Sequence, residues 1–207
     1  DSPLVDPHKC SRHTGIKPVL LQAKNRQAEC NHVVKIVKNI LDKNWFDRSI
    51  ERIAPEDIGI LYPFAGRYNK PILNNFIDNL KEIAPTVWLN QSSDSRTQVC
   101  DPGIKVQTIH SAKGLQYKVV IILWGDLLPT HFANSEEDQD RRLLYVGLTR
   151  AEDFLLISSS GESKFIDQIA ESSKVMFASS KLDKLEIYEN NPHHKEEELR
   201  VLLNDLV

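Results

Sequence analysis

The chain has 207 residues, 41% of them hydrophobic, with 26 Lys and Arg against 29 Asp and Glu, a formal net charge of −3. That length and apolar content suit one α/β domain with a core of its own, and the charge excludes nucleic-acid binding by bulk electrostatics, so any such contact has to be a local patch. Three cysteines, Cys10, Cys30 and Cys100, show no paired spacing and suit a reducing, cytoplasmic compartment. No apolar run approaches the roughly 20 residues that cross a bilayer, no signal peptide opens the chain, and no membrane partner is expected. The start at Asp1-Ser2-Pro3 reads as the cut end of a longer protein.

Residues 1–17 are polar with two prolines and read as a lead-in. His8, Cys10 and His13, with Cys30 and His32 further on, supply donors enough to weigh a zinc site. Their spacing is too irregular for the CxxC or HxxxH pairs of structural zinc, and no metal is expected. Val19–Ala23 reads as a strand. Asn25 is placed to cap a helix to about Asp42, with Ala28, Val33, Val37, Ile40 and Leu41 on one face. A polar connection leads to a buried strand, Asp57–Tyr62, then a loop, Pro63–Asn69. Pro71 suits the first turn of a helix to about Ile83 that turns Ile72, Phe76, Ile77 and Leu80 to the core.

Thr86–Leu89 is a third strand and Asn90–Pro102, rich in Ser, Asp and Gln, a loop. Strand Ile104–Ile109 follows, then a polar loop, then Val119–Trp124, an apolar run without alternation that fits a strand buried on both faces. A helix is expected from about Ser135 to Arg150, with Glu136, Glu137 and Asp138 in its first turn, where acids favour the dipole. Phe154–Ser158 is the next strand and Ser163–Ala170 a short helix. Residues 171–207 read as an appendage with an amphipathic helix, Glu196–Leu206. Alternating strands and helices predict a three-layer α/β domain with a mostly parallel sheet over residues 18–170.

Chemistry concentrates between Gln107 and Arg150. Lys113-Gly114 stands in a loop at a strand end, where glycine lets backbone N–H groups approach an anion or a ribose. Arg150, placed at a helix end, has the fixed fork that fits between phosphate oxygens. Its bland reading is a solvated arginine paired with Glu152 or Asp153. At ~100° per residue Arg142 lies about 80° from Arg150, so the two share a flank, whereas Arg141 points away and reads as structural. Arg67 and Lys70 follow a strand and sit where a loop charge can reach a phosphate. Singly, His110, Lys113 and these loop charges are ordinary surface residues.

Together, Thr108-Ile109-His110-Ser111-Ala112-Lys113-Gly114-Leu115 followed by Arg141-Arg142-Leu143-Leu144-Tyr145-Val146-Gly147-Leu148-Thr149-Arg150-Ala151 resembles motifs V and VI of UvrD/Rep/PcrA-type superfamily 1 helicases. Asp57–Leu80 looks more loosely like motif IV, and the resemblance covers Val19–Ser160. It implies the second RecA-like domain of an ATP-dependent DNA helicase. Arg150 would be the motif VI arginine that contacts the γ-phosphate, and Arg67 the motif IV arginine, with Lys70 the competing alignment. Gly114 and Gln116 would face the ribose, while Thr108, His110 and Lys113 would meet the single-stranded backbone. The family usually has Glu where this chain has Gln116, which still accepts a hydrogen bond but without charge. The acids before the two arginines are only partly matched, by Gln139-Asp140. The large insertion between motifs IV and V is absent or reduced to Asn90–Pro102.

No GxxxxGK[ST] phosphate loop and no Walker B acid pair occur in the sequence. ATP with Mg²⁺ would therefore be held mainly by an N-terminal RecA-like domain of the same protein, and this fragment alone should be inactive. Single-stranded DNA is the expected polymer, with RNA left open. The rival expectation, supported by Gln116 and the altered acids, is a degenerate helicase-like domain serving as a structural or protein-interaction module.

Overall fold

A computed structural model describes residues 17–42, 52–90, 99–130, 136–172, 175–179 and 186–188. The strands are β1 (Val19–Gln22), β2 (Ile58–Tyr62), β3 (Thr86–Trp88), β4 (Ile104–Thr108), β5 (Tyr117–Ile122), β6 (Ala151–Ser159), β7 (Met176–Ser179) and β8 (Glu186–Tyr188). The helices are α1 (Arg26–Asp42), α2 (Lys70–Lys81), α3 (Glu137–Leu148) and α4 (Lys164–Ala170). All strands lie in one sheet, ordered β3-β4-β2-β5-β6-β1-β7-β8, and every described pairing is parallel except β7 with β8. The three-layer, mostly parallel α/β architecture is therefore the one the sequence predicts.

Each layer follows from its residue pattern. Ile58, Ile60, Val119 and Ile121 point to one face of the sheet. There they pack with Val33, Ile36 and Val37 of α1 and with Leu73, Phe76 and Leu80 of α2. Leu61, Val120 and Ile122 point to the other face, under Leu144 of α3 and Phe165 and Ile166 of α4. Asn25 caps α1 as expected, its Oδ1 accepting from the Ala28 N–H at 2.9 Å. Ser163 caps α4, accepting from the Phe165 and Ile166 amides. On α2 the buried row is Leu73, Phe76, Ile77 and Leu80, with Ile72 only partly covered, so the helix is turned slightly from its predicted setting. All of the predicted lead-in (1–17) but Lys17, and the terminal helix (Glu196–Leu206), lie outside the described residues. From Val175 on, where the sequence carries no strong signal, the sheet gains β7 beside β1 and β8 beside β7.

Tyr117 shows how closely the central strands are fitted. Its ring lies over Gly59 of β2, where an added Cβ would come within 2.4 Å of the ring. Its hydroxyl accepts from Gln107 Nε2 of β4 at 2.7 Å. Burial pushes this phenol up to about 12, with the Gln107 bond offsetting part of the shift, so the ring stays neutral. Gly59→Ala is expected to displace the ring and cost about 1–3 kcal/mol, as overpacking of a close-fitted core does. Urea denaturation read by Trp fluorescence checks this, and an unchanged midpoint would show that the ring can move freely.

The apolar run Val119–Trp124 does not stay strand to its end. β5 stops at Ile122, and Trp124 adopts a left-handed conformation (φ 63°) that starts a single 3₁₀ turn, Gly125–Leu127. A bulky residue holds that conformation only where its surroundings over-determine it. Here the Trp124 amide donates to Glu29 Oε1 at 3.0 Å, and Ser158 Oγ donates to the same oxygen at 2.7 Å. Arg26 donates to Glu29 Oε2 at 3.2 Å and to both oxygens of Asp126 at 2.7 and 2.6 Å. This buried ionic knot closes the C-terminal end of β1, β5 and β6.

Candidate functional site

Because β4 and β5 are parallel and flank β2, the chain leaving β4 at Thr108 has to return to the opposite end of the sheet to begin β5 at Tyr117. Residues 109–116 make that return along the α3 face, with Ile109, Ala112 and Leu115 packed beneath them. At about 3.3 Å per residue the five-residue strands separate the two ends by ~16 Å. The loop of Thr108, His110 and Lys113 thus joins two edges of the domain and belongs to both.

At the first edge, a compact polar knot shapes the start of the loop. The Thr108 amide donates to Asn90 Oδ1 at 2.7 Å, Asn90 Nδ2 donates to Ser111 Oγ at 2.9 Å, and the Thr108 and Ser111 hydroxyls lie 2.9 Å apart. The Ser111 and Ala112 amides turn back onto the Thr108 carbonyl at 3.0 and 3.2 Å. His110, Ser111 and Lys113 are left exposed. Asn90 carries no motif signal. It is found only by the fold, which lays β3 beside β4.

At the second edge, Gly114 has φ +88°, and nothing lies within 4 Å of the place where a Cβ would stand. Gly114 and Gln116 are exposed. Arg150 is not on the helix: α3 ends at Leu148, Thr149 is its C-cap, and β6 begins at Ala151. The Arg150 carbonyl accepts from the Tyr117 amide at 2.9 Å. Its guanidinium donates to the Val146 carbonyl at 3.0 Å, the Leu115 carbonyl at 3.2 Å and Thr149 Oγ1 at 3.1 Å. Glu152 and Asp153 are not its partners. Three of its five N–H donors are thereby occupied, and the arginine fastens the end of the loop to the end of α3.

The structure does not bring Arg67 to Arg150. Arg67 is exposed in the loop after β2, at the C-terminal end of the strands, and Lys70 opens α2 nearby. Arg150 stands at the N-terminal end. Arg141, as expected, is structural: it donates to Glu137 and Gln168 at 3.1 and 3.0 Å and stacks 4.7 Å from the Phe165 ring. Asp140 is committed within the domain, accepting from the Thr130 amide and hydroxyl at 2.6 and 2.8 Å. Among the described residues no group of three or more His, Cys, Asp or Glu could hold a metal ion, and no helix is long and apolar enough to cross a membrane.

Comparison with known proteins bears directly on this arrangement. The UvrD-like helicase C-terminal domain family matches residues 56–162, just over half of the chain and all of the loop between the two edges. The chain belongs to that family. It is 27% identical over 185 residues to the ATP-dependent DNA helicase PcrA of Staphylococcus aureus, covering 74% of this chain and 24% of that protein. A shorter stretch of 58 residues is 43% identical to the ATP-dependent DNA helicase srs2 of Schizosaccharomyces pombe, 27% of this chain and 6% of that protein. The chain thus spans about a quarter of the length of the PcrA relatives it matches. Among solved structures, the C-terminal domain of a possible DNA helicase from Lactobacillus plantarum WCFS1 shares the fold, with a TM-score of 0.54 and 17% identity over 79% of this chain and 86% of that one. The predicted fold and family both stand.

Proposed function

We propose that this UvrD-like domain is the C-terminal motor domain of an ATP-dependent superfamily 1 DNA helicase or translocase. The observation that carries the reading is the loop from Thr108 to Gln116, whose two ends lie at opposite ends of the strands of one sheet. One edge would lie along single-stranded DNA through Thr108, His110 and Lys113. The other would face ATP through Gly114, Gln116 and Arg150. ATP and its Mg²⁺ would be held mainly by an N-terminal RecA-like domain of the same protein, whose phosphate loop this chain does not supply. When bound there, the nucleotide supplies the γ-phosphate toward which Arg150 would turn its fork. To do so, Arg150 would exchange its bonds to the Leu115 and Val146 carbonyls, loosening the far end of the loop that holds the strand. The separation from Arg150 counts against Arg67 as a second contact to the same phosphate. It leaves Arg67 and Lys70 as charges on the strand-end edge.

The experiment that tests this is ATP hydrolysis by the full-length protein with and without single-stranded DNA, beside the 207-residue chain alone. Stimulation by DNA in the first and no hydrolysis in the second is the expected outcome. Stimulation by RNA instead would keep the motor and change the polymer. No hydrolysis in either would favour the rival reading, a degenerate interaction module, which Gln116 in place of an acid supports.

A further inference from the structure

Between the Thr108–Gln116 loop and α3 runs an open cleft of about 270 Å³. Its aliphatic floor is Leu143 and Val146, and its rim carries His110 and Lys113 from the loop and Arg142 from the helix. All three rim side chains are exposed, and none has a hydrogen bond or ion pair among the described residues. The contrast with the neighbouring arginine is sharp: Arg141 is engaged by Glu137, Gln168 and Phe165. The carboxylate lining the cleft, Asp140, is occupied by Thr130, and Gln139 is turned to Glu136 at 2.6 Å. What remains is a cationic cleft many times larger than the ~30 Å³ share of a water molecule. It is lined by three donors that have no side-chain acceptor among the described residues.

We propose that this cleft seats a backbone phosphodiester of the single strand, with Arg142 as the contact made from α3. The proposal rests on the DNA-track reading above and adds a residue and a ligand chemistry to it. A phosphodiester fits the cleft because its rim is cationic and it has no aromatic face on which a base could stack. The nucleotide is a poorer occupant, since Gly114, Gln116 and Arg150 form the other edge. Arg142 extends the path of the strand from the sheet end onto the helix, and its fork donates to two oxygens of one phosphate.

The test is equilibrium binding of labelled oligo-dT and of a mixed-sequence oligonucleotide to the full-length protein across a salt series. Wild type is compared with Arg142→Ala, Arg142→Lys and His110→Ala, and KM for ATP is measured at saturating DNA. Arg142→Ala is expected to weaken both oligonucleotides severalfold and equally, and to flatten the log–log salt slope by about 0.7, the share of one single-strand phosphate contact. Arg142→Lys should keep the slope, and KM for ATP should stay within about twofold. If His110→Ala weakens binding while Arg142→Ala leaves affinity and slope unchanged, the strand passes the loop without a contact from α3, and the proposal fails alone. A loss confined to one base composition overturns it in favour of a base contact, and a change confined to KM for ATP overturns it in favour of the nucleotide. If the protein does not bind single strands at all, the proposal falls together with the reading on which it rests.

Discussion

Replacing Arg150 with alanine in the full-length protein should lower DNA-stimulated ATP hydrolysis about a thousandfold, the low end of what an arginine finger contributes to phosphoryl transfer. At 1.36 kcal/mol per tenfold, that is about 4 kcal/mol of transition-state stabilisation. Arg150→Lys should recover little, because a point charge on a flexible stem does not reproduce a two-pronged donor. The side chain also has a resting role that the same variant removes: its bonds to Val146, Leu115 and Thr149, each about 0.5–1.5 kcal/mol. Hydrolysis and stability therefore have to be measured on the same preparation. A variant that binds single strands normally, melts within a few degrees of wild type and has lost turnover identifies Arg150 as the group facing the phosphate. Full turnover with a lowered melting temperature would make it only the staple between the loop and α3.

Part of this arrangement is legible in the sequence because it rests on local rules. Asn25 caps α1 through its own side chain, and the unbroken apolar run of β5 needs cover on both faces. Arg141 is assigned to structure by helical angle alone, and the contacts with Glu137 and Phe165 agree. Other features depend on partners distant in the chain. Nothing near Trp124 in sequence says that its apolar run ends in a left-handed turn, since the groups that hold it are Glu29 and Arg26, about a hundred residues earlier. Arg150 reads as helical because Leu148-Thr149-Arg150 contains no breaker, yet the pairing of Tyr117 with Ala151 draws the chain into β6 at that point. Arg67 and Arg150 look like companions when motifs are laid in order, and only strand direction shows that they stand at opposite ends. Asn90 has no signature beyond being polar. β7 and β8 are short strands whose residues become strand by pairing, β7 beside β1 and β8 at the edge beside β7.

Arg26→Ala should be the most damaging single change to stability, costing about 3–5 kcal/mol, the range for removing one partner of a buried ion pair. Arg26 is itself one-fifth exposed, but the Glu29 and Asp126 side chains it serves are 0% and 3% exposed, so its loss leaves two carboxylates side by side without a cation. Of a typical stability of about 5–15 kcal/mol, that is a large fraction. The damage should depend on pH with a definite sign. Burial already pushes the Glu29 carboxyl up, and Arg26, followed by Ser158, offsets part of that push. Without Arg26 the folded-state value rises further, while in the unfolded chain it returns to about 4.3. A carboxyl whose folded value lies above its unfolded one keeps its contribution below the unfolded value. It loses that contribution as pH rises through the folded one. The stability difference between wild type and Arg26→Ala should accordingly widen from pH 5 to pH 8, read as urea midpoints at matched ionic strength. Adding Glu29→Gln to Arg26→Ala should flatten that dependence, because the amide has no proton to lose and still accepts from Ser158 and the Trp124 amide. A difference that is constant with pH, or that narrows as pH rises, would show that the Glu29 carboxylate is stabilised by groups other than Arg26.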